Sequence, residues 1–432
     1  MLPVFLKKLL IQSGVNRLFP QVGRLSGGDD PYQRYYSDRA LSTTNWSLNI
    51  PEVVFAQAET NEIDLLSGWP LFDMLASGST KLPAQQRGLA HPWGLPEFRE
   101  TVSEYLHRQF QVSAKPSDEI LITAGISGAL RRVLEAFVNP GDKVILFDPS
   151  SPCYTTALRT SRARVHWVST DMEDGGLRVR MDQLARATHR AKLLILSQPN
   201  NPNGGVIAPE ELEQIAWWAN HHDVLIFNDL AFGEFLYEDQ FIGITDYARA
   251  FQRTLTAGSV SHCRALTSAR VGWLTGQRHL IAACAAVDSS SVPTLNQHIA
   301  DKAMQLENAK LQSVRNECFG RRRYAYDRLR GGGLHPVWPR GGLFLWLPVK
   351  DLGMTGKEFA RQLQENQDVL VWPGECFGPG SKGFVRVSFA GDEGRLRQGL
   401  ARIVDFVRSL GSRNTPTDFS LPEIQSTSTA IR

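Results

Sequence analysis

GSVSHCRALTSARVGW occupies residues 258–273, with His262 near its middle. An imidazole with an ordinary pKa of about 6.5 is a competent general base at neutral pH, but it has no primary amine. The segment closes a longer region, from about Glu97 to Trp273, in which short apolar runs alternate with helical ones. ILIT (120–123) precedes GISGALRRVLEAF, whose apolar residues recur at helical spacing. KVILF (143–147) ends at Asp148-Pro149-Ser150-Ser151-Pro152, and LLILS (193–197) ends at Gln198-Pro199-Asn200-Asn201-Pro202. Pro209-Glu210-Glu211 opens a helix, because proline suits the first turn and carboxylates suit its positive end. VLIFN (224–228) follows and stops at Asp229. This alternation predicts an α/β fold with a mostly parallel sheet covered on both faces. Ligands then bind at the carboxyl ends of the strands, where the polar candidates sit.

The flanks differ. Residues 1–45 are irregular, with Gly27-Gly28-Asp29-Asp30-Pro31 as a breaker cluster, and resemble an arm laid over the rest. The start, MLPVFLKKLLIQSG, carries Lys7 and Lys8 inside its apolar stretch, which predicts a short amphipathic helix rather than a signal peptide. After about residue 300 a long polar helix through Arg322-Arg323 leads to PRGGLFLWLPV (339–349), GFVRVSFA (383–390) and the helix EGRLRQGLARIVDFVRSL, an α+β module. The tail from Gly411 is rich in Ser, Thr and Pro and reads as disordered.

Composition narrows the function. The 432 residues are 42% hydrophobic and 21% charged, the balance of a folded globular chain with room for two or three domains. A net charge of +3 gives no footprint for nucleic acid or an anionic membrane. No apolar run approaches the roughly 18–20 residues of a membrane span. The five cysteines form no C-x-x-C pair, so neither a disulfide framework nor a metal site is expected, and free thiols in the cytoplasm are the plain reading.

Four segments have both a structural and a chemical reading. Thr123-Ala124-Gly125-Ile126-Ser127-Gly128-Ala129 is a small-residue turn feeding a helix, suited to tight packing or to a phosphate on exposed N–H groups. Asn200-Asn201-Pro202-Asn203-Gly204 is a turn by composition. Asp229 after a buried strand could cap a helix or take part in chemistry. Arg386, mid-strand, demands a partner for its charge, within the fold or on a ligand.

Order and spacing of these segments resemble class I/II aminotransferases, the pyridoxal-phosphate (PLP) enzymes of fold type I, over roughly residues 60–405. Their cofactor segment reads S-x-S-K-x-x-x-x-x-G-x-R-x-G-W/Y. Ser259, Ser261, Arg270, Gly272 and Trp273 fall in register, and His262 takes the lysine's place. The resemblance implies a phosphate held by the backbone of Ser127 and Gly128 and by Ser259 and Arg270. It puts Asn201 at the phenolic oxygen, Asp229 at the protonated ring nitrogen, and Arg386 on a substrate carboxylate. It further implies a large domain over 61–295, a small α+β domain over 296–410 partly begun by an arm over 1–60, a tail over 411–432, and a homodimer. Three positions depart from the pattern: Ser151 replaces an aromatic that stacks on the pyridine, Phe232 replaces a tyrosine, and Leu89 replaces another, with His91 and Trp93 nearby.

The family's lysine links the cofactor covalently and then moves a proton. His262 can perform only the second task. Three readings follow: an enzyme that holds PLP or pyridoxamine phosphate non-covalently with His262 as base, an enzyme on this fold without PLP, or a catalytically silent binding or assembly subunit. The three further departures favour natural divergence over a single engineered substitution at position 262. Regulators that join this fold to a helix-turn-helix are set aside, because the first 60 residues hold no such pattern.

Overall fold

The computed structural model describes residues 63–64 and 91–413, apart from 174, 188–190, 239–240, 248–249, 289 and 306–307. The expected N-terminal amphipathic helix, the arm, Leu89 and the tail beyond 413 lie outside the described residues.

A nine-stranded sheet runs, in spatial order, through Ile120–Thr123, Gly272–Thr275, Thr254–Ser259, Leu225–Asp229, Ala191–Ser197, Lys143–Asp148, Arg164–Glu173, Gly176–Val179 and Val206–Ile207. The five strands from Thr254–Ser259 to Arg164–Glu173 pair in parallel. Gly272–Thr275 is antiparallel to both of its neighbours. This is the mostly parallel α/β sheet expected from the apolar runs, and its central strands are buried almost throughout. Buried on both faces, such strands lose the alternation of a half-exposed sheet and read as continuous apolar segments.

The helix Gly125–Phe137 covers one face with Ile126, Ala129, Leu130, Val133 and Leu134, all buried. That stripe is the 3.6-residue period laid against the sheet, and each large aliphatic contributes roughly 1.5–3 kcal/mol through burial. On the other face, Pro209–His221 begins with proline and carries Glu210 and Glu211 in its first turn, as expected.

Gly272 shows why the glycine before Trp273 is required. It pairs with Ser259 on one side and Thr123 on the other. A Cβ there would lie 2.6 Å from the Gly258 carbonyl oxygen and 2.8 Å from the Gly125 Cα. A Cβ on Gly258 would in turn lie 2.4 Å from the Trp273 ring, which is buried edge-on against Tyr105 at 5.4 Å. The close approach brings the residue two positions earlier, Arg270, over the turn after Thr123.

A second sheet of three antiparallel strands has the order Phe344–Pro348, Phe384–Ser388, Trp372–Pro373. It is flanked by the long helices Asn308–Gly331 and Glu393–Arg413. The latter continues three residues past the expected boundary at 410. Ile63–Asp64 pairs with Val369–Leu370, so these two residues lie on the side of the second sheet. Asp148, at the end of its strand, ties the sheets together. Its carboxylate accepts from the Gly380 N–H at 2.7 Å and the Ser381 hydroxyl at 3.4 Å, while the Ser150 N–H donates to the Phe377 carbonyl at 2.8 Å. The central strand of the small sheet is thereby held beside the carboxyl ends of the large one.

Candidate active site

Asp229 ends the strand Leu225–Asp229 and is 4% exposed. Its Oδ1 accepts from the Ala231 N–H at 2.7 Å, and its Oδ2 accepts from the Tyr154 hydroxyl at 2.5 Å. Burial pushes the carboxyl up to about 6, against the opposing pull of those two hydrogen bonds. The Ala231 bond closes a turn; no helix starts at Asp229, so the helix-cap reading does not hold. The Tyr154 bond is the finding that sequence reading missed. Its signal in the sequence is the aromatic residue three positions after Ser151. Ser151 itself is buried and its hydroxyl sits 3.2 Å from the Cys153 sulfur.

The loop after Ala191–Ser197 divides its asparagines between two tasks. Asn200 donates from Nδ2 to the Pro149 carbonyl and to Asn203 Oδ1, and Asn203 Oδ1 also accepts from the Gly205 N–H. These bonds, with Gly204 N–H to the Asn200 carbonyl at 2.8 Å, build the turn. Gly204 has φ +67, and a Cβ there would lie 2.4 Å from the Gly341 carbonyl oxygen. Asn201 is left for the site: its Oδ1 accepts from Arg386 Nη1 at 2.8 Å.

Arg386 lies mid-strand in Phe384–Ser388 and is 6% exposed. Its guanidinium stands 3.9 Å from the Phe344 ring centroid, 5.1 Å from that of Phe377 and 5.5 Å from that of Trp372. Aromatic faces stabilise a desolvated cation and leave a planar fork suited to a carboxylate.

At the other end, Ala124 precedes the helix Gly125–Phe137 without a side-chain cap, and no acidic residue occupies its first turn. Ser127 is exposed and Gly128 half-buried. Arg270 is exposed, in left-handed backbone at φ 50, a conformation that costs a non-glycine residue roughly 1–3 kcal/mol. Its Nη2 would be 3.1 Å from a Cβ on Gly125, so the missing side chain admits the guanidinium above the helix start. N–H groups, helix dipole and guanidinium converge there as an anion site. Ser259 borders it, with its Oγ accepting from the Ser261 N–H at 3.0 Å as cap of the short helix Val260–Cys263.

His262, in that helix, is half-buried. Its ring meets Phe232 edge-on, with centroids 4.7 Å apart and planes at 66°. Burial first, then Arg270 and Arg386, push its proton affinity down to about 3. The imidazole is therefore neutral at pH 7 and holds a proton less readily than the ordinary value suggested. His91, a candidate for the space of the missing tyrosine, accepts the Trp93 N–H on Nδ1 at 3.3 Å. Among the described residues no cluster of metal-ligating side chains is present, and no helix is long and apolar enough to cross a membrane.

Chemically, the site offers a guanidinium above an uncapped helix start, a buried carboxylate, a buried guanidinium and a neutral imidazole. A family model described as aminotransferase class I and II matches residues 61–403. Aspartate aminotransferase of Pyrococcus abyssi is 31% identical over 322 residues, covering 73% of this chain and 82% of that protein. Aspartate/prephenate aminotransferase of Thermus thermophilus is 32% identical over 344 residues, covering 78% and 85%. The crystal structure of an aromatic aminotransferase from Pyrococcus horikoshii superimposes with a TM-score of 0.75 at 27% identity, covering 82% of this chain and 98% of that one.

Proposed function

The chain belongs to the class I and II aminotransferases, and on that premise we propose that it binds PLP or pyridoxamine phosphate without a covalent link and acts on a small substrate bearing a carboxylate, with His262 as general base. Residues present support the fit at three points. The Arg270 guanidinium over Gly125, with the uncapped helix start at Ser127 and Gly128 and the Ser259 hydroxyl, suits the phosphate. Asp229, buried yet ionised above about pH 6, suits a protonated ring nitrogen. Asn201, held by Arg386, suits the phenolic oxygen. At the fourth point His262 has no amine for an imine, which is the single observation behind non-covalent binding.

When bound, the pyridine ring supplies a sink for the electrons of a broken bond. Tyr154 and Ala231 fix the Asp229 carboxylate, so its charge stays aimed in one direction. Arg386 clamps the substrate carboxylate in the plane of its guanidinium. His262 accepts a proton on a ring nitrogen. Anions on Arg270 and Arg386 would offset the two smaller contributions that lower its proton affinity, while burial, the largest, remains. The proposal includes a cytoplasmic homodimer, and a division near 61–295 and 296–410. The strands of the nine-stranded sheet lie within 120–275 and those of the three-stranded sheet within 344–388. But Ile63–Asp64 pairs with Val369–Leu370, and the helix Thr294–Met304 bonds to Pro96–Phe110 through Asp301 and Thr101, so the packing follows neither the bound at 61 nor that at 295.

Calorimetry of pyridoxamine phosphate tests the reading. Arg270→Ala is expected to weaken binding roughly 10- to 100-fold, the loss of charge-assisted hydrogen bonds. Absence of binding to the wild-type protein, or equal affinity in the variant, overturns it. So does a pyridoxyl group on a lysine near the site after borohydride treatment with PLP and peptide mapping.

A further inference from the structure

Phe232 stands between the two groups on which the proposed chemistry rests. Its ring meets His262 edge-on, centroids 4.7 Å apart. It also meets Phe344 edge-on, at 5.2 Å and 78°. Phe344 in turn lies under the Arg386 guanidinium at 3.9 Å. Imidazole, two phenyl rings and guanidinium therefore form one column that crosses from the short helix Val260–Cys263 to the three-stranded sheet. Phe232 and Phe344 are 4% and 1% exposed, so neither ring has room to swing.

We propose that Phe232 is a positioning residue that fixes His262 and the Arg386 clamp relative to each other, through its two edge-on ring contacts. This rests on the assignment of His262 and Arg386 in the proposed function. Each edge-on pair has a preferred geometry, because the positive rim of one ring meets the negative face of the next. A shift of the guanidinium on Phe344 thus displaces Phe232, and with it the plane of the imidazole. Burial is the largest cause that keeps His262 neutral, and Phe232 is a ring packed against it.

The test uses the full-length protein free of cofactor, so that it stays informative if pyridoxamine phosphate does not bind. Succinate serves as the carboxylate probe at Arg386, with affinity measured by calorimetry. Histidine labelled with 15N reports the tautomer and titration of His262, its resonance identified by its loss in His262→Asn. Phe232→Leu is expected to weaken succinate roughly two- to tenfold, the worth of an aromatic pair. In the same variant the His262 resonances should change tautomer balance and titrate at higher pH. Phe232→Tyr, which keeps the ring, should restore the succinate affinity. Phe344→Leu, which breaks the column at the second ring, should reproduce both effects and substitutes if Phe232→Leu does not fold. A variant that changes only one end, or neither, overturns the coupling. Wild-type protein that binds succinate but not pyridoxamine phosphate would instead count against the cofactor reading and leave the coupling standing.

Discussion

The Tyr154 hydroxyl donates to Asp229 Oδ2 across 2.5 Å, from a helix that starts after one strand to a carboxylate that ends another. The bond stabilises the ionised carboxylate against burial, which pushes it up to about 6. If Asp229 holds a protonated ring nitrogen, affinity for pyridoxamine phosphate should fall as pH drops through about 6. Tyr154→Phe removes one stabilising bond, so the midpoint of that fall should move to higher pH. Calorimetry from pH 5 to 8 measures it, and an unmoved midpoint would separate Tyr154 from the role of Asp229.

His262 also leaves a mark on stability. Its proton affinity is depressed in the folded protein, at about 3, against about 6.5 in an unfolded chain. The unfolded chain therefore takes up a proton that the folded one refuses. Stability is full above about pH 6.5 and falls as pH drops towards 3. His262→Asn lacks this proton. Between pH 7 and 4.5 it should lose about 1–2 kcal/mol less than wild type in urea unfolding, after discounting for partial exposure. Asp229 titrates in the same range with the opposite sign but is common to both proteins, so it cancels. Parallel pH profiles would show that His262 is not held neutral by its surroundings.

The Gly125 site allows a geometric test of the anion cradle. Alanine there must adopt φ +70 and bring its Cβ to 3.1 Å from Arg270 Nη2. Gly125→Ala should lower stability by about 1 kcal/mol and weaken pyridoxamine phosphate roughly tenfold. Ser127→Ala should leave affinity near wild type, since the proposed contact there is through the backbone. The reverse ranking of the two variants in calorimetry would refute a phosphate between the helix start and Arg270.

Much of the fold was written in the sequence because it rests on local rules. Buried parallel strands must be apolar runs, and the turns between them must hold small or polar residues, so ILIT, KVILF, LLILS and VLIFN named four strands of the large sheet. Gly272 was legible as a motif position, and its reason is the close approach of the Gly258 and Gly125 backbones. Arg270 and Arg386 were legible as single charged positions, each singled out without reference to a second side chain. The site was not legible where two protein side chains meet across the chain. Tyr154 and Asp229 are joined only because two strands on either side of Ala191–Ser197 end at one edge, and Phe232, His262 and Phe344 meet across two sheets. Asn200 and Asn201 are alike in sequence, and only the turn geometry gives one to the loop and the other to Arg386.

The loop at Asn203 has a consequence for the protein's chemical lifetime. In an unfolded chain an asparagine followed by glycine is prone to deamidation: the glycine nitrogen attacks the side-chain amide carbon and ammonia departs. Here the Gly204 N–H is committed to the Asn200 carbonyl, and Asn203 is fully buried with its Oδ1 occupied by two donors. The attacking nitrogen and its target are thereby kept from the geometry of ring closure. Slow conversion of Asn203 to aspartate or isoaspartate would act as a clock for how often this edge of the sheet comes open.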